Sequence, residues 1–226
     1  MNNPALKSGM YKYLLLLWTL AHTGFSQQIT IHISAPGDIK GRKAILLTRE
    51  KGFGAIVHSL KLTAGEVELQ MSQDLVPDLY ELNVSKMKGS LVFFLEPGTH
   101  IRLDTMDVTR SVVSNSKSNP EWLLFQSSIL TPFTKKSNIF TLGEARARKS
   151  GHVDSLSYWA GQKALGHTEF LNQTEAFIRN NPKSFVSLYL LKNNWYAFER
   201  KHILETLDRS LSHHRTYIAL RAKQGK

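Results

Sequence analysis

The apolar residues of this chain change their spacing once, near residue 115, and that change limits the folds open to it. From Gln27 to about Val113 they recur at every second position. Ile29, Ile31 and Ile33 alternate with Thr30, His32 and Ser34; Val67, Leu69 and Met71 alternate with Glu66, Glu68 and Gln70; Tyr80, Leu82 and Val84 alternate with Glu81, Asn83 and Ser85. Successive side chains of a strand point to opposite faces, so each run predicts a strand with one buried and one wet face. Leu91 to Leu95 (Leu-Val-Phe-Phe-Leu) is apolar throughout and predicts a strand covered on both faces. Turn residues separate these runs: Pro36-Gly37-Asp38, Lys51-Gly52-Phe53-Gly54, Ala64-Gly65, Lys88-Gly89 and Glu96-Pro97-Gly98. About eight short strands at this spacing predict an antiparallel β-sandwich or open barrel over residues 27–115.

Helical spacing takes over in residues 116–226. Ser118 or Asn119 can cap a helix with Pro120 in its first turn, and Trp122, Phe125 and Ile129 then share a face. Thr141-Leu142-Gly143-Glu144 matches a capping box and predicts a helix start. Leu156, Trp159 and Ala160, then Phe170, Leu171, Phe177 and Ile178, continue the amphipathic pattern until Asn181-Pro182 ends it. Two further helices are expected, one around Phe185–Leu191 and one presenting Leu204, Leu207 and Leu211. The fold class is therefore α+β, an N-terminal β domain followed by a C-terminal helical region.

Residues 1–26 read as a targeting segment. Lys7 and Lys12 form a basic start, Tyr13 to Ala21 is apolar, and Gly24-Phe25-Ser26 places small residues at −3 and −1 of a cut before Gln27. That order is the order of a secretory signal peptide, and the apolar run is about half the roughly 20 residues a membrane span requires. The expectation is a periplasmic or secreted chain, cleaved after Ser26.

The chain contains no cysteine, which excludes disulfides, thiolate metal sites, a cysteine nucleophile and dithiol redox chemistry. Charge divides with the fold. Residues 27–112 carry ten Lys/Arg and ten Asp/Glu, whereas residues 113–226 carry seventeen and eight, a net of +9. The helical cations are scattered, as in Arg146, Arg148 and Lys149 or Arg221, Lys223 and Lys226. That scatter reads as a solvated helical surface; an anionic envelope surface is the competing partner and nucleic acid is not expected.

Motifs that would carry chemistry are missing. There is no phosphate-binding loop, no G-x-S-x-G elbow and no H-x-x-x-H pair. Asp104 and Asp107 read as a polar turn, Glu96 as hairpin-turn chemistry, and the adjacent His213 and His214 as a surface pair near a helix start. Trp122, Trp159 and Trp195, with Tyr158, Tyr189 and Tyr196, could build a sugar-stacking platform but fit core positions better. No catalytic, cofactor-binding or metal-ligating residue is assigned. An enzymatic reading, a hydrolase or glycan-acting protein, predicts a deep pocket lined by several of Glu96, His58, His100, Asp104 and Asp107.

Four segments carry a resemblance. Val76-Pro77-Asp78-Leu79-Tyr80-Glu81-Leu82, Leu91 to Ile101 (LVFFLEPGTHI) and Ser116-Lys117-Ser118-Asn119-Pro120-Glu121 resemble a β-rich module, domain of unknown function 4369, found at the front of exported thioredoxin-like proteins of the Bacteroidota. Phe177 to Ser184 (FIRNNPKS) is similar to the helix, Asn-Pro, Ser, helix segment that links this module to the thioredoxin domain. In such relatives a Cys-x-x-Cys thioredoxin domain follows. The cysteine-free sequence ends at Lys226, near where that domain would begin, so no catalytic residue carries over. The resemblance implies a non-catalytic accessory or interaction module with a protein partner in the periplasm or cell envelope. The alternatives are the enzymatic reading above and binding of anionic envelope surfaces through the basic helical half.

Overall fold

A computed structural model describes residues 28–49, 54–72 and 77–225. The targeting segment and residues 51–53 of the first expected hairpin lie outside the described residues. The α+β expectation holds. Eight strands form two four-stranded sheets, β1 (Gln28–Ala35), β2 (Lys43–Thr48), β3 (Ala55–Lys61), β4 (Gly65–Ser72), β5 (Asp78–Val84), β6 (Leu91–Leu95), β7 (His100–Arg102) and β8 (Val112–Ser114). One sheet has the order β4-β1-β7-β8 and the other β3-β2-β5-β6; they stack without closing into a barrel. All neighbours are antiparallel except β1 and β7, which run parallel, a departure from the purely antiparallel expectation.

Period-two residues fill the space between the sheets. Ile29, Ile31, Ile33, Leu69, Met71 and Ile101 meet Ala44, Leu46, Tyr80, Leu82, Leu91 and Phe93 in one buried cluster. The continuous apolar run of β6 is covered twice, as expected. Phe93 and Leu95 point into the sandwich, while Phe94 joins Leu79 in a second cluster under the helices. The molecule thus has three layers, with the β3-β2-β5-β6 sheet in the middle.

Helices α1 (Ser118–Phe125), α2 (Thr131–Ser150), α3 (Val153–Asn180), α4 (Phe185–Asn193), α5 (Trp195–Phe198) and α6 (Arg215–Gln224) follow, with a π-helical segment Gln126–Leu130 between α1 and α2. Sequence expectations are corrected in this half. Thr141–Glu144 lies inside α2 rather than at a helix start. Gly143 is there because a Cβ would fall 2.4 Å from the Trp159 ring, and Glu144 bonds Arg148 and Lys163 instead of the backbone. Leu204, Leu207 and Leu211 are buried by two 3-10 turns, Leu204–Thr206 and Arg209–Leu211, not by a helix. The backbone is diverted there because Asp208 N–H donates to the Pro182 carbonyl and the Asp208 carboxylate caps the second turn. A further 3-10 turn, Val108–Arg110, precedes β8.

Neither Ser118 nor Asn119 caps α1. Ser116 Oγ accepts the Asn119 N–H at 3.2 Å, which frees the Asn119 side chain for another task. β6 is an edge strand, and edge backbone groups need partners when buried. The Asn119 carboxamide supplies both: Oδ1 accepts the Phe94 N–H at 2.9 Å and Nδ2 donates to the Phe94 carbonyl at 2.7 Å. One side chain thereby takes the place of a fifth strand and fixes where α1 crosses the sheet. Asn119→Ala leaves two buried backbone groups unpaired and should lower stability by about 2–4 kcal/mol. Asn119→Asp keeps the bond to the N–H but faces an oxygen with an oxygen, and should be no more stable than the alanine variant by urea midpoint.

Candidate functional site

The five residues of the enzymatic reading do not meet. Asp104 and Asp107 occupy one turn after β7. The Asp104 carboxylate accepts the N–H groups of Met106 at 2.8 Å and Asp107 at 2.9 Å. That of Asp107 accepts the hydroxyl and N–H of Thr109 at 2.6 and 3.0 Å. These bonds hold both carboxyls below the usual carboxylate range, the Asp107 N–H dominating for Asp104 and the Thr109 hydroxyl for Asp107. His100 bonds Ser34 at 2.8 Å on one sheet, whereas His58 lies on β3, at the edge of the other. His32 pairs with Glu66 at 2.8 Å beside His100, yet no group of three or more His, Asp or Glu side chains among the described residues could hold a metal ion.

Glu96 departs from the turn-only expectation. Its backbone does form the turn, with Thr99 N–H donating to its carbonyl at 3.1 Å. Its carboxylate is buried and reaches α1, accepting the hydroxyls of Ser116 and Ser118 and the Ser118 N–H at 3.2 Å. A carboxylate at a helix N-terminus satisfies orphan N–H groups and opposes the positive end of the helix dipole. Glu121, in the first turn of α1, accepts the Ser184 hydroxyl, and Ser184 in turn caps α4 by accepting the Val186 and Ser187 N–H groups at 3.0 and 3.4 Å. A cleft of about 520 Å³ runs between these groups, lined by Glu96, Lys117, Ser118, Glu121, Asn181 and Lys183 among others. Three of the four segments that carry the resemblance, Leu91 to Ile101, Ser116 to Glu121 and Phe177 to Ser184, therefore meet here, and the segment ending in Leu82 does not. The Glu96 carboxylate is engaged by the start of α1, and that of Glu121 by the hydroxyl of Ser184, the cap of α4.

A second cleft, about 500 Å³, opens between the middle sheet and the helices. Its floor is Leu79, Val92 and Leu130, and its polar groups are Arg49, Glu81, Gln126 and Asn193. Trp122 and Tyr189 form one wall, their rings edge-to-face at 5.8 Å. Of the six aromatics weighed as a sugar platform, Trp122 and Tyr189 meet here, while Tyr158 and Trp159 meet edge-to-face at 5.1 Å on the α2–α3 pair. Trp195 is buried in the helical core, Tyr158 and Tyr196 are exposed, and Trp159 covers Gly143 on the α2–α3 pair. Trp122 is stacked on Phe125 and buried, so it offers no free face to a sugar. Its indole N–H is buried with no hydrogen-bond partner among the described residues. Arg49 and Asn83 hold the Glu81 carboxylate at 3.6 and 3.3 Å. The cleft can accept a small polar molecule over an apolar floor; among the described residues that line it, no nucleophile lies beside a base.

The middle sheet is also tied to the helices by charge. Asp78, 5% exposed, accepts from Lys192 Nζ at 3.1 Å, from Arg215 at 3.1 Å and from the Leu79 N–H at 2.8 Å. His214, expected on the surface, is half-buried beside this group and forms the N-cap of α6. Its Nε2–H donates to the Pro77 carbonyl at 2.8 Å and its Nδ1 accepts the Thr216 N–H at 3.2 Å. That pair of bonds requires the neutral ring. No family model matches this chain, and neither does any curated protein or solved structure.

Burial holds the His214 pKa below its usual value, helped by Arg215 and Lys192, against the opposite pull of the Pro77 carbonyl and Asp78. A histidine depressed in the folded state binds fewer protons there than in the unfolded chain, so its stabilisation is complete above about pH 6.5 and is lost as pH falls below that. The urea midpoint should drop between about pH 7 and about pH 5. His214→Asn, which keeps a cap but cannot titrate, should show a flatter profile over the same interval.

Proposed function

We propose that this protein is a non-catalytic, exported interaction module related to the β-rich front module of Bacteroidota thioredoxin-like proteins. The reading rests chiefly on one observation, the unpartnered helical arm formed by α2 and α3. These helices have 20 and 28 residues and are joined by Gly151-His152, with Gly151 in the left-handed region at φ 72°. At 1.5 Å per residue, α2 alone is about 30 Å long. Only Gly143 and Ala147 of α2, and only Thr174, Phe177 and Ile178 near the end of α3, are buried. Amphipathic helices in a folded core bury a face; this pair buries a seam and leaves the rest open.

The seam is specific. Phe140 covers Gly166, whose added Cβ would fall 2.9 Å from the ring, as Trp159 covers Gly143. Phe133 stacks on Phe170 at 4.3 Å, and Lys136 bonds Glu169 at 3.0 Å. Away from the seam, Ile139, Leu142, Val153 and Leu165 are all more than half exposed, Val153 reaching 72%. Apolar residues spaced along an arm of this length suit a protein partner. The capped and paired state of Glu96, Glu121 and Glu81 supports the non-catalytic part of the reading. Among the described residues no helix is long and apolar enough to cross a membrane.

Two measurements test the proposal. Mass spectrometry of protein recovered from the periplasm or medium should show an N-terminus at Gln27; a retained Met1 overturns export with cleavage. A photo-crosslinking residue at Leu165 should give one discrete heterologous adduct in intact cells, lost in Ile139→Ser, while the same group at exposed Ile56 on β3 gives none. Absence of any adduct along the arm, or turnover of a reporter ester or glycoside abolished by Glu81→Gln in a well-folded variant, overturns it.

A further inference from the structure

The ten cations and ten anions of residues 27–112 cancel in number, yet strand register separates them in space. Ala35 is opposite Gly65, Lys43 opposite Lys61, Ala44 opposite Val84, Leu82 opposite Leu91, and Arg102 opposite both Ser34 and Val112. These pairings bring four connections, residues 36–42, 62–64, 85–90 and 103–111, to one end of the sandwich. Together with the residues flanking them they hold eight of the ten cations, Lys40, Arg42, Lys43, Lys61, Lys86 and Lys88 with Arg102 and Arg110 at the margin, but only three of the ten anions, Asp38, Asp104 and Asp107. Arg110 and Lys88 act electrostatically on Asp104 and Asp107, and none of the eight comes within 4.0 Å of a described carboxylate oxygen.

Local chemistry at this end is unfavourable to folding. Lys43 and Lys61 face each other directly across β2 and β3, an arrangement of like charges that destabilises a sheet. Lys86 adopts φ 60°, the left-handed region that suits glycine, while the Arg42 guanidinium donates to its carbonyl at 2.9 Å. Met106 is 76% exposed in the 103–111 connection, where the Asp104 and Asp107 carboxylates accept N–H groups of their own turn. Neither cleft described above is lined by these residues. Lys61 and Lys43 on the adjacent strands β3 and β2, with Lys86 and Lys88 in the connection after β5, form an array rather than a pocket. An array suits a layer of monoanionic headgroups, and an exposed methionine beside it suits the interface below them.

We propose that this end of the sandwich docks on an anionic phospholipid surface, with the lysines over the headgroup phosphates and Met106 in the interfacial layer. The full chain should float with vesicles of phosphatidylcholine and phosphatidylglycerol but not with phosphatidylcholine alone, and less so as salt rises. Replacing Lys43, Lys61, Lys86 and Lys88 together by Gln should weaken flotation at least about tenfold, whereas Gln at Lys135, Lys136, Arg146 and Lys149 of the arm should not. Met106→Ser should weaken it several-fold. Lys61→Gln alone should raise the melting temperature by about 1–3 °C, which separates lost binding from lost fold. Unchanged flotation of the sandwich variant, loss with the arm variant instead, or equal retention on dextran sulfate with no effect of Met106→Ser, overturns the assignment.

Discussion

A sheet that is apolar on both faces cannot remain at the surface, and the rest of this structure follows from covering one. The β3-β2-β5-β6 sheet turns Tyr80, Leu82, Leu91, Phe93 and Leu95 toward the other sheet and Leu79 and Phe94 the opposite way. Burying that second face requires the helices, and apolar contact is indifferent to their exact placement. Placement comes from polar groups at the sheet rim: Asn119 on the Phe94 backbone, Glu96 on the start of α1, Asp78 on Lys192 and Arg215, and His214 on the Pro77 carbonyl. Each bond is directional, and each leaves a buried donor, acceptor or charge unpaired if its helix shifts. The helices α1, α4 and α6 are thereby tied to β5 and β6 and not merely packed on them.

Legibility followed the range of the interaction. Period two and the continuous Leu91–Leu95 run were readable because burial on one or both faces is a local property of the strand. The helix stop at Asn181-Pro182 was readable for the same reason. Thr141–Glu144 misled because a capping box and a mid-helix glycine accommodating a facing ring leave the same four letters; only the position of Trp159, sixteen residues on, separates them. The leucines at 204, 207 and 211 have helical spacing, but two 3-10 turns bury them equally well once Asp208 bonds Pro182. The roles of Glu96, Asn119 and Asp78 depend on partners 20, 25 and more than 100 residues away, so residue type and local context pointed only to turns and caps.

Charge shows the same limit. A count over residues 27–112 gives zero and directs attention to the helices, where the surplus is. Count is a sum, whereas a surface responds to distribution, and distribution in a sandwich is set by which connections share an end. Four connections distant in sequence share one here because β1, β2, β5 and β7 place particular ends side by side. The helical surplus, by contrast, is partly neutralised where it lies. Glu144 bonds Arg148 and Lys163, and Glu175 bonds Arg179 and Lys201. Those bonds hold both carboxyls below their usual range, chiefly through Arg148 for Glu144 and Lys201 for Glu175. The half with the larger net charge is therefore the better compensated locally.

The arm can be read for function only because its seam and its exposed residues are different sets. Glycine inside a helix costs about 1 kcal/mol relative to alanine, and α2 and α3 each place one at the seam. The gain is close approach: an aromatic ring from the facing helix lies over each glycine and buries area that two alanines would hold apart. That seam accounts for the pairing of the helices without Ile139, Leu142 or Leu165. Tyr158 and Leu165, seven residues apart, recur on one stripe of α3, about 100° around the helix from Trp159 and Gly166. Tyr158 touches Trp159 at 5.1 Å and belongs to both sets, but Leu165 does not. Apolar residues the fold does not require, repeated along an arm the core does not cover, are where selection for contact with another molecule would leave its mark.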